Sequence, residues 1–107
     1  MTIELEFFID EEGNYCARGD DERLATYLEA DIQGSTAIAE ELIALLKDAD
    51  FSGDFSGNAH CVDFRDNSVL IEAVHDDDAP DRVLSREAML THVEAWLEFI
   101  SAPSSRA

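Results

Sequence analysis

Residues 50–58, DFSGDFSGN, combine two aspartates, two glycines and an asparagine, the residue types from which calcium loops are built. An EF-hand loop, however, places oxygen ligands at alternate positions, a glycine at the sixth and a glutamate at the twelfth. Here the aspartates stand four apart and each precedes a phenylalanine, and one pair of tetrapeptides is not a nonapeptide calcium repeat. We therefore interpret the stretch as a helix exit that leads into a strand, with Phe51 or Phe55 packed under the core.

The histidines and cysteines give little support to metal or redox chemistry. A zinc site needs three or four ligands at suitable spacing, and Cys61 is the only thiol beside a histidine. His60 and Cys61 are strand neighbours that point to opposite faces, so they cannot easily bind one ion. His92 lies beside the apolar stripe of a predicted helix. Cys16 and Cys61 lack CxxC spacing and are expected to be reduced and partly buried. We predict no metal and no cofactor.

Catalytic motifs are equally weak. The chain contains no GxSxG nucleophile motif and no glycine-rich phosphate loop. Its carboxylates are too numerous for spacing alone to select a catalytic pair. We therefore expect a protein that is not an enzyme.

The acidic residues form three clusters beside predicted turns, and they are the strongest candidates for a binding function. The first cluster is Asp20-Asp21-Glu22. A loop held by a rigid scaffold is a usual place for recognition. We predict that the densest cluster forms a partner-binding surface: Asp76, Asp77, Asp78 and Asp81. The remaining acids assist it if the fold places them nearby: Asp48, Asp50 and Asp54. Alternatively these aspartates only solvate turns, and the partner binds the polar side of the sheet around Glu4, Glu6, Asp63 and Glu72.

The overall charge points to the same kind of partner. Among 107 residues, 25 acids oppose seven bases, for a formal net charge of −18. Such a field repels nucleic acid and anionic membranes and attracts basic proteins. It also destabilises the compact state, a cost that a basic partner or high external salt would reduce. Because Lys47 is the only lysine, salt adaptation of a protein with an unrelated housekeeping or adaptor function remains the alternative.

Hydropathy patterning predicts the elements that position these acids. Apolar and polar residues alternate in predicted strands over 3–9 and 58–65. The turn residues DEEGN and RDNS are each followed by a further predicted strand, over 14–19 and 68–75, and a short strand is expected at RVL, 82–84. We expect the first four to lie in one antiparallel sheet. Helices are predicted by apolar spacing over 21–33, 36–49 and 86–101, with Ser35 or Thr36 and Ser85 as caps.

Strands separated from helices indicate an α+β fold: a small antiparallel sheet of about four to five strands with helices on one face, including the C-terminal helix. We expect Trp96 to anchor that helix in the core. Residues 1–101 are predicted to form one domain and 102–107 a flexible tail. The chain shows no secretory signal and no apolar run of membrane-spanning length, so a cytoplasmic location is expected.

Three segments carry a resemblance: YLEADIQGS (27–35), GNAHCVDFRDNSVLIEAVHDDD (57–78) and LSREAMLTHVEAWLEFI (84–100). They resemble the small YacL-like proteins and the immunity proteins of contact-dependent growth inhibition and related polymorphic toxin systems. The shared pattern is an initial hairpin, a helix, GNA opening a second hairpin, an acidic loop and a closing helix with W-x-x-F-I. The aspartate run and the extreme charge depart from it.

The resemblance implies a non-catalytic protein that binds a cognate toxin in the cytoplasm of the producing cell and blocks it. Many such toxins are nucleases, whose clefts are basic because they hold phosphates. An acidic inhibitor would complement such a cleft and associate rapidly. The expected partner is therefore a toxin with a basic surface, while the toxin's identity and the oligomeric state stay open.

Overall fold

The computed structural model describes residues 4–48, 50–57, 59–74 and 81–101. Within these ranges the chain forms six strands and three helices. The strands are β1 (Leu5–Ile9), β2 (Tyr15–Gly19), β3 (Gly53–Ser56), β4 (His60–Phe64), β5 (Ser68–Ala73) and β6 (Arg82–Ser85). The helices are α1 (Glu22–Tyr27), α2 (Thr36–Lys47) and α3 (Arg86–Ser101), and one π-helical turn, Leu28–Ile32, continues α1.

The first hairpin, β1–β2, is closed by a turn that Asp10 organises. The Asp10 carboxylate accepts hydrogen bonds from the backbone N–H groups of Glu12 and Asn14, each at 2.9 Å. The Asn14 N–H contributes most to holding the pKa of this carboxyl below its usual range. Gly13 completes the turn at φ +86°, in the left-handed region.

The remaining strands form a four-stranded antiparallel sheet in the order β3-β4-β5-β6. The hairpin β1–β2 makes a separate two-stranded sheet, so the expectation of one shared sheet was wrong. Strand β3 was also missed, because its sequence, GDFS, has only one apolar residue and lies inside the stretch interpreted as a connection. Phe51 and Phe55 do pack against the core, as predicted.

A polar side chain accepts a backbone N–H group at the start of each α-helix. The side chain of Asp21 accepts a hydrogen bond from the N–H of Leu24, and Ser35 and Ser85 accept theirs from positions three residues further on. The predicted helix over 21–33 is a short α-helix followed by the π-helical turn. The other two helices confirm the predicted spans to within two residues at each end.

The helices cover one face of the larger sheet, and the core lies between them. Val62, Ile71 and Leu84 point from the sheet into the same buried cluster as Leu42 and Trp96. The α+β prediction is therefore confirmed, with a four-stranded antiparallel sheet and helices packed on one side. In the described part of the chain, no helix has the length and hydrophobicity needed to cross a membrane.

Candidate partner-binding surface

The outer face of the four-stranded sheet, opposite the helices, carries carboxylates on three adjacent strands. Asp54 of β3 lies directly across from Asp63 of β4, and Glu72 of β5 stands across from Cys61. Directly opposed residues in an antiparallel pair have Cβ atoms about 4.5–5.5 Å apart, so two aspartates in this position repel each other. We call Asp54, Asp63 and Glu72 the acidic row.

The surroundings of the acidic row combine one base with apolar side chains. Arg65 reaches back to Asp63, with 3.1 Å between Nη2 and Oδ2, and its side chain is 56% exposed. Leu70 and Val83 continue the cross-strand line that starts at Asp54 and Asp63. Val83 is 53% exposed, so an apolar patch borders the carboxylates on a face that no described element covers. Charged and apolar groups side by side on an open sheet face suit protein binding better than catalysis.

Asp48 and Asp50 are exposed at the end of α2, in the loop that precedes β3. The side chain of Asp48 accepts the N–H of Asp50 at 3.1 Å. Buried Arg86 fixes this loop, because its guanidinium donates to the backbone carbonyls of Asp48 and Phe51 and, on the sheet side, to that of Arg65. These two predicted binding residues therefore sit on an anchored loop and not on the acidic row.

Asp81 meets a different acidic cluster from the one expected. It lines a cleft of about 470 Å³ together with Asp20, Asp21 and Glu22 at the start of α1. The charge of Asp21 is compensated there by an ion pair, because its Oδ2 accepts a hydrogen bond from Nε of Arg82 at 2.6 Å. Asp20, Glu22 and Asp81 remain exposed. The fold thus brings Asp81 to the first cluster, while Asp54 joins Asp63 and Glu72.

The other predicted acids divide as follows. Asp76, Asp77 and Asp78 lie outside the described residues. The alternative set is split between the two sheets: Asp63 and Glu72 share the larger one, whereas Glu6 belongs to β1 and pairs with Arg18 at 2.9 Å. Glu4 precedes β1, where its carbonyl accepts the N–H of Asp20. Of the alternative set, only Asp63 and Glu72 therefore share a sheet face, and their role in binding stays a prediction.

A buried polar chain behind the sheet was not predicted. Asp31 and His60 are 1% and 2% exposed, and Nδ1 of His60 lies 2.8 Å from Oδ1 of Asp31. On the other side of the ring, Nη1 of Arg23 lies 3.1 Å from Nε2. A guanidinium only donates and a carboxylate only accepts, so both contacts are satisfied in the tautomer that carries its proton on Nδ1. In the chain Asp31–His60–Arg23, the imidazole thus bridges a buried carboxylate and the guanidinium of half-buried Arg23.

Asp31 also fixes the turn between β3 and β4. Its Oδ2 accepts the backbone N–H of His60 at 3.0 Å and shares that of Ala59 with Oδ1. Gly57 passes so close that a Cβ placed there would overlap Oδ2 of Asp31. Asp31 stands in the π-helical turn, a type of distortion that is frequent at functional sites. One sequence signal pointed here: Asp31 follows Tyr27 by four positions, on the apolar side of a helix.

Cys16 and Cys61 are both free and half-buried, as expected. Partial burial, followed by the charge of Asp10, raises the pKa of Cys16. Burial likewise raises the pKa of Cys61, and the nearby Asp54 and Glu72 add to the shift. Raised pKa values keep both thiols protonated and poorly nucleophilic. In the described ranges, no group of three or more His, Cys, Asp or Glu could hold a metal ion.

Comparison with known proteins adds no assignment: the chain matches no protein-family model, no curated protein and no solved structure.

Proposed function

We propose that this protein is an immunity protein that binds a basic toxin domain of the nuclease class through the outer face of its four-stranded sheet. The observation that carries the proposal is Asp54 held directly opposite Asp63 on the outer face of the sheet, beside Glu72 and exposed Val83. Opposed like charges reduce stability in the free protein. A cationic group of the partner would be attracted by both carboxylates and would offset the repulsion between them.

The net charge of −18 supports the same type of partner at longer range. A strongly negative inhibitor approaching a phosphate-binding cleft would be steered by the field, so association would be fast and sensitive to salt. The resemblance of the closing helix and the second hairpin to immunity proteins points to the same class. The protein acts in this proposal by occupying the toxin's cleft and not by chemistry of its own.

Direct binding to a candidate toxin domain tests the proposal. A domain encoded beside this gene is purified, and its affinity for the parent protein, for Asp54→Asn and for Glu98→Gln is measured by calorimetry at several salt concentrations. Glu98 is an exposed acid on α3, so it controls for loss of one charge away from the sheet. We expect Asp54→Asn to weaken binding about tenfold, or 1.4 kcal/mol. Equal effects of the two substitutions would contradict binding at this face.

The acidic segment between β5 and β6 is part of the same hypothesis. The triple variant Asp76→Asn, Asp77→Asn, Asp78→Asn keeps side-chain shape and removes three charges. We expect more than a tenfold loss of affinity, about 1.4 kcal/mol, with a shallower salt dependence and unchanged or higher stability. If this variant binds as tightly as the parent at every salt concentration, the segment has no part in the interface.

Salt adaptation is the second candidate, and it rests on the acid-rich, lysine-poor composition. A salt-adapted domain should unfold at low ionic strength and refold in molar salt without any partner, because screening alone relieves its self-repulsion. A thermal unfolding series from low to molar salt, with no partner present, separates the two. An immunity protein should stay folded at the low end of that series.

A further inference from the structure

The backbone of β3 forms one edge of the four-stranded sheet, and half of its residues face away from the sheet. In an antiparallel ladder, alternate residues of a strand direct both their N–H and their C=O groups to the same neighbouring strand. The N–H of Gly57 donates to the carbonyl of His60 at 2.8 Å, which fixes this alternation between β3 and β4. By the strand register, Phe55 then bonds to β4, whereas the backbone groups of Asp54 and Ser56 point away from it.

The opposite edge, β6, is obstructed by its own residues. By the same alternation, the backbone groups of Val83 and Ser85 face outward there. The carbonyl of Val83 accepts a hydrogen bond from Nη1 of Arg82 at 2.9 Å, and the chain continues from Ser85 directly into α3. The ion pair with Asp21 holds Arg82 in this position. A further strand could not pair along β6 without displacing these groups.

The edge at β3 is open. Asp54 and Ser56 are exposed, and no residue in the described ranges bonds to their backbone N–H or C=O groups. On the helix side of the strand, a cavity of about 440 Å³ is lined in part by Ile38 and Phe55, so a neighbouring strand would find room for a side chain there. Unpaired strand edges are templates for a strand of another chain, and many proteins bind extended peptides in this way.

The charge beside the open edge selects the strand that fits it. Asp54 lies opposite Asp63, and among the described residues no arginine or lysine forms an ion pair with Asp54. A residue opposite Asp54 on an added strand would share the outer face with it, with Cβ atoms roughly 4.5–5.5 Å apart. A basic residue at that position would be attracted by both aspartates.

A second copy of this chain fits the edge poorly. Antiparallel pairing of β3 with itself would bring the two Asp54 side chains onto the same outer face, directly opposite or diagonally across from each other. Each copy also carries a formal net charge of −18, so the two chains repel each other at longer range. The open edge therefore favours a strand from a basic protein.

We propose that the basic partner adds an extended strand to β3, antiparallel to it, with an arginine or lysine opposite Asp54 and an apolar residue opposite Phe55. This inference rests on the proposed function, since the strand belongs to the toxin domain. Backbone bonds to Asp54 and Ser56 fix the register of the added strand, and its basic side chain reaches the acidic row. The apolar residue points to the helix side, toward the cavity beside Phe55.

A peptide probe tests the edge without any toxin. The isotope-labelled protein is titrated with a capped pentapeptide in which three arginines alternate with two valines, and backbone amide shifts are followed by NMR. The matched control peptide carries N-methyl groups on its three arginine amides, which keeps the charge and removes the N–H groups that would face β3. We expect saturable shifts at the N–H groups of Asp54 and Ser56 with the first peptide and at least fivefold weaker binding of the control. Equal binding of both peptides would mean that charge alone attracts them, and would overturn the proposal.

Variants of β3 separate backbone pairing from charge. Ser56→Pro removes an N–H that the β3–β4 ladder does not use, so cross-strand contacts between Phe55 and Val62 should persist while peptide binding falls more than tenfold. Ser56→Ala keeps the N–H and should bind within about twofold of the parent. Asp54→Asn should weaken binding about threefold through loss of one cross-strand charge pair, whereas Glu98→Gln on α3 should not. Equal binding by the proline and alanine variants would overturn strand pairing.

Amide exchange in the unmodified protein decides the question even if Ser56→Pro fails to fold. With the toxin domain encoded beside this gene bound, the amide hydrogens of Asp54 and Ser56 should exchange at least tenfold more slowly than in the free protein. The amide of Phe55, which already bonds to β4, should change less. Unchanged exchange at Asp54 and Ser56 in the complex would overturn strand addition.

The outcomes for the edge and for the proposed function are separable. A protein that binds the toxin domain while the amides of Asp54 and Ser56 stay unprotected would overturn strand pairing and leave the proposed function standing. Pairing with the arginine peptide by a protein that binds no basic toxin domain would overturn the proposed function and the toxin origin of the strand. A dimer of this chain that Ser56→Pro dissociates, measured by analytical ultracentrifugation, would assign the edge to a second copy and overturn the basic partner.

Discussion

Asp31 links several neighbouring segments of the chain through its side-chain contacts. It joins the π-helical turn to β4 through its hydrogen bonds with His60, and it leaves no room for a side chain at Gly57. A buried carboxylate is tolerated only when paired and hydrogen-bonded, and both conditions hold here. The sequence motif GNA in the hairpin therefore has a steric reason at its glycine.

Gly57→Ala should reveal this contact. The added methyl group would overlap Oδ2 of Asp31, so we expect a loss of about 1–3 kcal/mol in the free energy of unfolding, measured by urea denaturation. In an Asp31→Ala background the same substitution should cost less than half as much, because the overlapping carboxylate is gone. Additive costs in the double variant would show that the strain arises elsewhere.

Tyr27→Phe should change the response to alkali. Burial, and secondarily the charge of Asp31, raise the pKa of Tyr27 far above its ordinary value of 10.0. The stability associated with the neutral phenol is present below pH 10 and is lost as the pH rises, by about 1.4 kcal/mol per pH unit, since only the unfolded chain then loses this proton. Denaturation curves from pH 7 to above 10 should show a shallower decline in Tyr27→Phe than in the parent. At pH 7 the variant should be equally or more stable, because it removes an unpaired hydroxyl.

At the scale of elements, strongly periodic segments were predictable. The alternation in β1 and β4, the turn residues before β5 and the apolar stripes of α2 and α3 were sufficient to place these elements, and Ser35 and Ser85 indicated two helix starts. The acidic surface was partly predictable: Asp63 and Glu72 share a face because strand residues alternate, but which acids meet across the sheet depends on register.

The features that were not predictable depend on tertiary contacts. Among the described strands, β3 pairs only with β4, and three of its four residues are exposed, so its sequence carries no alternation. The hairpin β1–β2 looked like part of one sheet, but its Phe7 and Tyr15 pack against aromatic rings of α3. The buried chain from Asp31 to Arg23 joins residues up to 37 positions apart, which no local pattern reveals.

Trp96 should be the most costly side chain of α3 to remove. It is fully buried, its Nε1 donates to the carbonyl of Gln33 at 2.8 Å, and Phe7 contacts it edge-on at 5.0 Å between ring centroids. We expect Trp96→Ala to lower the free energy of unfolding by about 3–5 kcal/mol, whereas exposed Glu98→Ala should change it by less than about 0.5 kcal/mol. A loss below about 1 kcal/mol for Trp96→Ala would contradict its anchoring role.

For the whole molecule, the acidic charges proposed to favour binding of a basic partner lower the stability of the free protein. Asp54→Asn removes one of two opposed carboxylates but keeps the ion pair between Asp63 and Arg65. We expect a gain of about 0.2–1 kcal/mol in the free energy of unfolding at low salt, which shrinks as salt screens the repulsion. Thermal unfolding at several salt concentrations measures it. Loss of stability would mean that the contact from Cys61 Sγ to Asp54 Oδ2, at 3.9 Å, outweighs the repulsion between the two carboxylates.

The order of the strands has a consequence for the rate of folding. Every strand in both sheets pairs with the strand next to it in sequence, so the sheets can form by closing short loops. Docking of α3 is different, because the hydrogen bond from Trp96 to the carbonyl of Gln33, which lies between the π-helical turn and α2, spans 63 positions. We expect the hairpins to form before the rate-limiting barrier and the α2–α3 contact after it. In stopped-flow measurements, Trp96→Ala should then mainly accelerate unfolding, whereas Ile71→Val in β5 should mainly slow refolding. The hairpins would thus be formed before the rate-limiting barrier, and α3 would pack on the core after it.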